Sequence, residues 1–141
     1  MTTEMRPTVV PALRYVDGNA AVDWLCRAFG FVPHLVVRNE EGQVVHAQLL
    51  RGNGMVMLGS GGHGAYDAYV KSPVESGAPC SQGIYVVVQD ADEHYRRARA
   101  EGAEIVLELE DQSYGGRGYT CRDPEGHVWS FGTYDPWADP R

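Results

Sequence analysis

The chain has 141 residues, with a hydrophobic fraction of 43% and a charged fraction of 22%, so one soluble globular domain with a sizeable core is expected. Its net charge of −7 argues against non-specific nucleic-acid binding and against attraction to anionic membranes. No apolar run approaches the ~20 residues of a membrane span and the N-terminus has no signal-peptide core, so a cytoplasmic location is expected.

In chain order, residues 8–16 predict a first strand, placed at a sheet edge because Pro11 cannot donate to a ladder. Asp17-Gly18-Asn19 predicts a turn and helix N-cap. A helix over 20–29 follows, with Val22, Leu25, Cys26 and Phe29 on one face and Gly30 as its stop. Strands are predicted over 31–38, 43–50 and 55–58, separated by the turns Asn39-Glu40-Glu41-Gly42 and Gly52-Asn53-Gly54. Residues 59–82, rich in Gly, Ser, Pro and Tyr, predict a long connector. It is a candidate lid over a ligand cleft, with Tyr66 and Tyr69 as its contacts.

The second half repeats the plan. A strand over 83–88 leads to a helix capped by Asp90-Ala91-Asp92 and stopped by Gly102. A strand over 103–109 and a hairpin close the half. In that hairpin, strands at 119–122 and 127–131 flank Asp123-Pro124-Glu125-Gly126, where Pro124 pre-sets φ and Gly126 supplies a permissive position. Arg27-Ala28-Phe29-Gly30 and Arg99-Ala100-Glu101-Gly102 mark the same point in each half. The result is an α+β chain of two βαβββ modules in one domain. Module one spans about 8–60, the connector 61–82, module two about 83–134 and a short tail 135–141. The cysteines Cys26, Cys80 and Cys121 are too few and too widely spaced for a disulfide framework, so free thiols are expected.

The repeated module and its closing strand, Asp-Pro-x-Gly turn and final strand resemble the vicinal-oxygen-chelate superfamily. That group includes glyoxalases, extradiol dioxygenases, fosfomycin-type resistance enzymes and bleomycin-type drug-binding proteins. The resemblance covers residues 8 to about 134. It implies the glyoxalase/bleomycin resistance fold, in which curved mixed sheets form a cleft with helices on the outside. It also implies a homodimer, since many relatives pair modules across subunits. In the superfamily's metalloenzymes, the first and last strands of each half carry His or Glu ligands. The matched positions here are Val10, Met57, Gly83 (or Ile84 with a one-residue slip) and Ser130. None suits a zinc or hard-cation site, so no metal or cofactor is expected.

Strand alternation assigns side chains to faces. Val10, Ala12, Arg14, His46, Gln48, Met55, Met57, Tyr85, Val128 and Ser130 are expected toward the cleft. Leu13, Tyr15, Val56, Leu58, Val86, Val88, Trp129 and Phe131 are expected toward the helices. Tyr114, Arg117 and Tyr119 are candidates for the cleft rim. His46 and Gln48 alternate with Val45, Ala47 and Leu49, which gives that strand one polar face. His63, His94 and His127 are expected in loops or on a helix surface, and Trp24 in core or interface. There is no nucleophile elbow, P-loop, dinucleotide fingerprint or acid–base constellation, so no catalytic residue is assigned. Arg14, His46, Gln48, Met55, Met57, Tyr85, Tyr114, Arg117, Tyr119 and Ser130 are the candidate ligand contacts. Met, Tyr and Arg suit a hydrophobic or aromatic small molecule. The resemblance implies sequestration like that of bleomycin resistance proteins. The alternatives are a glyoxalase-like or dioxygenase-like enzyme with a displaced metal site around His46, and a metal-independent enzyme using Arg14 and His46.

Overall fold

The computed structural model describes residues 6–60 and 64–138. His63, expected in the connector, lies outside them. Eight strands form two four-stranded sheets. The first contains β1 (Ala12–Arg14), β2 (Val32–Arg38), β3 (Val44–Arg51) and β4 (Gly54–Gly59), in the order β1-β4-β3-β2. The second contains β5 (Gly83–Val87), β6 (Glu104–Asp111), β7 (Arg117–Arg122) and β8 (Val128–Gly132), in the order β5-β8-β7-β6. In each sheet the first strand runs parallel to the last and the other pairs are antiparallel. Helix α1 (Gly18–Phe29) makes the crossover in the first module and α3 (Ala91–Ala100) in the second. This is the two-module βαβββ architecture expected from the repeat.

Local chemistry explains the boundaries. β1 is shorter than expected because Pro11 has no N–H, yet its carbonyl still accepts from Met57 N at 2.8 Å. β1 is an edge strand, where that loss is tolerated. The Asp17 carboxylate caps α1 by accepting from Ala20 N at 3.0 Å, and Gly30 ends it at φ +83, a left-handed conformation that favours glycine. In β3 Val44, Ala47 and Leu49 are buried while Val45 is half-buried, because the register shift opposite Val37 and Arg38 leaves Val45 without a partner on β2. The connector contains a 3₁₀ turn (Ala65–Ala68) and a short helix, α2 (Pro73–Ser76). No helix among the described residues is long and apolar enough to cross a membrane.

One core joins the two modules. α1 buries Ala21, Trp24, Leu25, Ala28 and Phe29. The Phe29 ring lies 4.6 Å from Phe131 and 5.2 Å from Trp129 of the other module. Burying such a side chain stabilises the fold by roughly 1.5–3 kcal/mol. The helices also satisfy each other's terminal carbonyls, which have no partner within their own helix. Trp24 Nε1 of α1 donates to the Glu101 carbonyl after α3 at 2.7 Å. Arg97 of α3 donates to the Arg27 and Cys26 carbonyls at 2.7 and 3.2 Å. His94 corrects its expected surface position: it is buried between Phe29 and Tyr119, because α3 packs on α1 as well as on its own sheet.

The Asp-Pro-Glu-Gly turn is also part of the junction. Asp123 is buried, and its carboxylate accepts from Trp129 Nε1 at 3.0 Å and from the Tyr15 hydroxyl of the first module. Glu125 accepts from Val16 N and Asp17 N at 2.7 and 2.9 Å, and from the Ser72 hydroxyl at 2.6 Å. A turn recognised for its hairpin chemistry therefore links the first module, the connector and the second module.

Candidate functional site

Each sheet has one face buried against the helices and one open face. Leu13, Tyr15, Val56, Leu58, Trp129 and Phe131 lie on the buried side. The register places the remaining candidates in rows across the open faces, since cross-strand partners share a face.

On the first sheet, Arg14 pairs with Gly59 and Gly59 with His46, while Ala12 pairs with Met57 and Met57 with Gln48. Gly59 has a steric role. A Cβ there would fall 2.3 Å from Arg14 Nη1, so its absence lets the guanidinium cross β4 toward His46. Gln48 Nε2 lies 3.2 Å from His46 Nε2, which orients the imidazole. Met55 extends this surface, and Leu35 and Val37 leave apolar area exposed beside it.

Arg14 does not stand free on this face. Its guanidinium forms an ion pair with Asp67 in the connector's 3₁₀ turn, with both side chains largely buried. The Tyr66 ring centre lies 5.5 Å from Arg14 Cζ, within cation–π range. A hydrogen bond from Gly64 N holds the Asp67 carboxyl below its ordinary range, with Arg14 acting in the same direction. The connector thus neutralises the cation of the first open face. Tyr69, its other expected contact, is 86% exposed.

On the second sheet, Tyr85, Ser130, Thr120 and Leu107 form one row, and Val87, Gly132 and Gly118 another. All of these but Val87 border a hollow of about 350 Å³ that Tyr114 and Tyr134 also line. Its lining contains no residue of the first sheet. The Tyr85 hydroxyl passes over Gly132, where a Cβ would lie 2.7 Å from it, and donates to the Tyr134 carbonyl at 2.6 Å. Burial, followed by the neighbouring Tyr114 and Tyr134 hydroxyls, pushes the Tyr85 hydroxyl above its ordinary pKa and keeps it neutral. Tyr114 meets Tyr134 edge-on at 5.2 Å, and Ser130 and Thr120 share a hydroxyl hydrogen bond at 2.7 Å. The hollow therefore has an aromatic wall beside a neutral hydroxyl pair, with Glu108, Glu110 and Arg117 also in its lining.

Arg117 and Tyr119 border the hollow, as expected of the rim, but the polar ends of both side chains are engaged on the helix side of β7. Tyr119 pairs with Phe131, shares its helix-facing side and is only 3% exposed. Its hydroxyl lies 2.6 Å from His94 Nδ1. Arg117 is on the same side of β7 and forms ion pairs with Asp92 of α3 and Asp111 of β6, at 3.0 and 3.3 Å. β7 begins at Arg117, so alternation assigns both odd-numbered residues away from the open face. Sequence reasoning missed Gly59, Asp67, Thr120 and Tyr134. Alternation could have identified Thr120, whereas the others depend on cross-strand or connector contacts.

The metal positions of the superfamily's enzymes can be tested by their donor chemistry. Val10, Met57, Gly83 and Ser130 offer methyls, a thioether, no side chain and a hydroxyl, and the cross-strand neighbours of Met57 and Ser130, Ala12 and Tyr85, add only a methyl and a phenol. Among the described residues, no three His, Cys, Asp or Glu side chains are grouped to hold an ion. This set does not fit the His and carboxylate ligands such a metal requires.

The description "Glyoxalase/Bleomycin resistance protein/Dioxygenase superfamily" belongs to a family model that matches residues 9–131. An uncharacterised protein of Mycobacterium bovis is 33% identical over 137 residues, covering 94% of this chain and 86% of that protein. TioX from Micromonospora sp. ML1 has 39% identity and a TM-score of 0.70, with 89% of this chain and 94% of TioX covered. The fosfomycin resistance protein FosX from Listeria monocytogenes shares the fold at a TM-score of 0.65 and 15% identity, over 92% of this chain and 93% of FosX.

Proposed function

Because this chain belongs to the glyoxalase/bleomycin resistance protein/dioxygenase superfamily, we propose that it binds an aromatic small molecule in the cytoplasm and sequesters it unchanged, as bleomycin resistance-type members of that superfamily do. The observation that carries this reading is the prearranged tyrosine wall over the second sheet. Tyr85 is fixed by its hydrogen bond to the Tyr134 carbonyl, and Tyr114 packs on Tyr134. Fixed aromatic rings lose little freedom on binding, which favours affinity for a planar ligand. A hollow of about 350 Å³ falls within the range of small-molecule sites, and its Ser130–Thr120 pair provides hydrogen bonds without charge.

The first sheet's exposed Leu35 and Val37, with Met55 and Met57, complement this wall. The proposed assembly is a homodimer in which the first sheet of one subunit covers the hollow of the other. Calorimetric titration against a panel of aromatic natural products and antibiotics, with mass spectrometry of the recovered compound, tests the function. One compound should bind one per subunit and return with unchanged mass. A stoichiometric divalent ion in freshly purified protein, with turnover abolished by chelator, overturns it.

A second reading is favoured by Arg14, which crosses Gly59 toward a His46 oriented by Gln48. These groups could stabilise an oxyanion or transfer a proton in a metal-independent reaction, or His46 could help hold a displaced metal. Turnover that survives in the His46→Ala variant excludes a catalytic role for that imidazole.

A further inference from the structure

A second group of reactive side chains lies where the connector meets the Asp123–Gly126 turn, beside the β1 edge of the first sheet. Cys80 Sγ is 4.0 Å from His127 Nδ1 and 3.3 Å from the Gly126 carbonyl. On the other side of the imidazole, Nε2 lies 2.7 Å from the Arg14 carbonyl. A carbonyl only accepts, so Nε2 carries the proton and the Nδ1 lone pair faces the sulfur. The Tyr15 ring packs against the imidazole at 4.7 Å, and His127 N donates to Asp123 at 3.1 Å. The base is therefore held in both position and tautomer. Cys80 and His127 both line a hollow of about 600 Å³ whose walls include Tyr66 and Tyr69.

We propose that Cys80, with His127 as its base, is a covalent capture site for soft electrophiles of the α,β-unsaturated carbonyl class. At rest the S–H has the Gly126 carbonyl as its acceptor, and rotation about Cβ–Sγ turns it toward His127 Nδ1. The proton passes to Nδ1 while Nε2–H keeps its bond to the Arg14 carbonyl. The sulfur electron pair forms the bond to the β-carbon, and the alkene π pair moves onto the α-carbon and carbonyl as an enolate. The proton on Nδ1 then goes to the α-carbon. The step is a net addition: it breaks the S–H and C=C π bonds, forms S–C and C–H bonds, and needs no oxidant or leaving group.

The other thiols lack this arrangement. Burial pushes the Cys121 thiol up to about 12, and burial with Asp23 nearby raises Cys26. They serve as internal controls. The site uses none of the second-sheet tyrosines that carry the sequestration reading, so the two can fail separately.

The test uses the full chain with a substoichiometric amount of N-ethylmaleimide at neutral pH, with peptide mapping at intervals. Cys80 should acquire the adduct about tenfold faster than Cys26. In His127→Asn the Cys80 rate should fall about tenfold while Cys26 is unchanged. Equal labelling of Cys80 and Cys26, or a Cys80 rate unchanged in His127→Asn, overturns the proposal. If that variant unfolds, seen as rapid labelling of Cys121, His127→Gln replaces it and the same outcomes decide.

Discussion

His94 Nε2 donates to the Phe29 carbonyl at 3.0 Å, so an imidazole of α3 satisfies the C-terminal end of α1. Its Nδ1 lies 2.6 Å from the Tyr119 hydroxyl and accepts from it. The bond to the Phe29 carbonyl persists if the ring takes up a second proton, but the bond from the Tyr119 hydroxyl does not, because Nδ1 then becomes a donor facing a donor. The junction of the two modules is thereby linked to pH.

Burial is the main cause that lowers His94 to about 4, opposed by its bond to the Phe29 carbonyl. The unfolded chain takes up this proton near ~6.5. With the folded value depressed, the contribution is fully present above ~6.5 and declines as pH falls toward the folded value of about 4. The total is about 3 kcal/mol. Urea unfolding of the wild type and His94→Gln from pH 4 to 8 should show this increment only in the wild type. Parallel curves would refute it.

Asp123→Ala should cost about 3–5 kcal/mol, since it leaves the Tyr15 hydroxyl, Trp129 Nε1 and two backbone amides without their acceptor. Tyr15→Phe removes one donor and should cost about 1–2 kcal/mol. Thermal and urea denaturation followed by tryptophan fluorescence would measure both. A loss below about 1 kcal/mol for Asp123→Ala would show that water replaces the carboxylate.

Tyr85→Ala should leave stability within about 1 kcal/mol of wild type, because the side chain is 41% exposed. It should reduce affinity for an aromatic ligand by about tenfold or more, through loss of a stacking surface. Calorimetry with a compound from the binding panel separates the two effects. Unchanged affinity would place the ligand elsewhere.

Asp67→Asn leaves Arg14 without its carboxylate partner while retaining the side-chain shape. Affinity for aromatic carboxylates should rise severalfold over that for their amides, and this preference should weaken as salt screens the new charge. Paired titrations at low and high salt measure both. No change in the carboxylate-to-amide ratio would mean that Arg14 does not reach the ligand.

Much of this molecule was legible in the residue order because the encoding signals are local. Period-two alternation put Trp129 and Phe131 against the helices and Val128 and Ser130 on the other face. Asp17 and Gly30 marked the ends of α1 through capping chemistry that spans only a few residues. The paired modules followed from repetition of these signals. What lies across a face is not local, and only the tertiary structure decided it. His94 sits in a charged helical stretch that reads as surface, yet α1 covers it. Arg117 and Tyr119 border the hollow, yet their polar ends find Asp92 and His94 of α3, partners that no local signal identifies. Arg14 looked like a free cleft cation until Asp67, 53 residues away, neutralised it. Cys80 and His127 are 47 residues apart, and neither carries a motif that identifies the other. Periodicity and capping are properties of a segment, whereas charge neutralisation, imidazole tautomer and burial between modules depend on which segments the fold brings together.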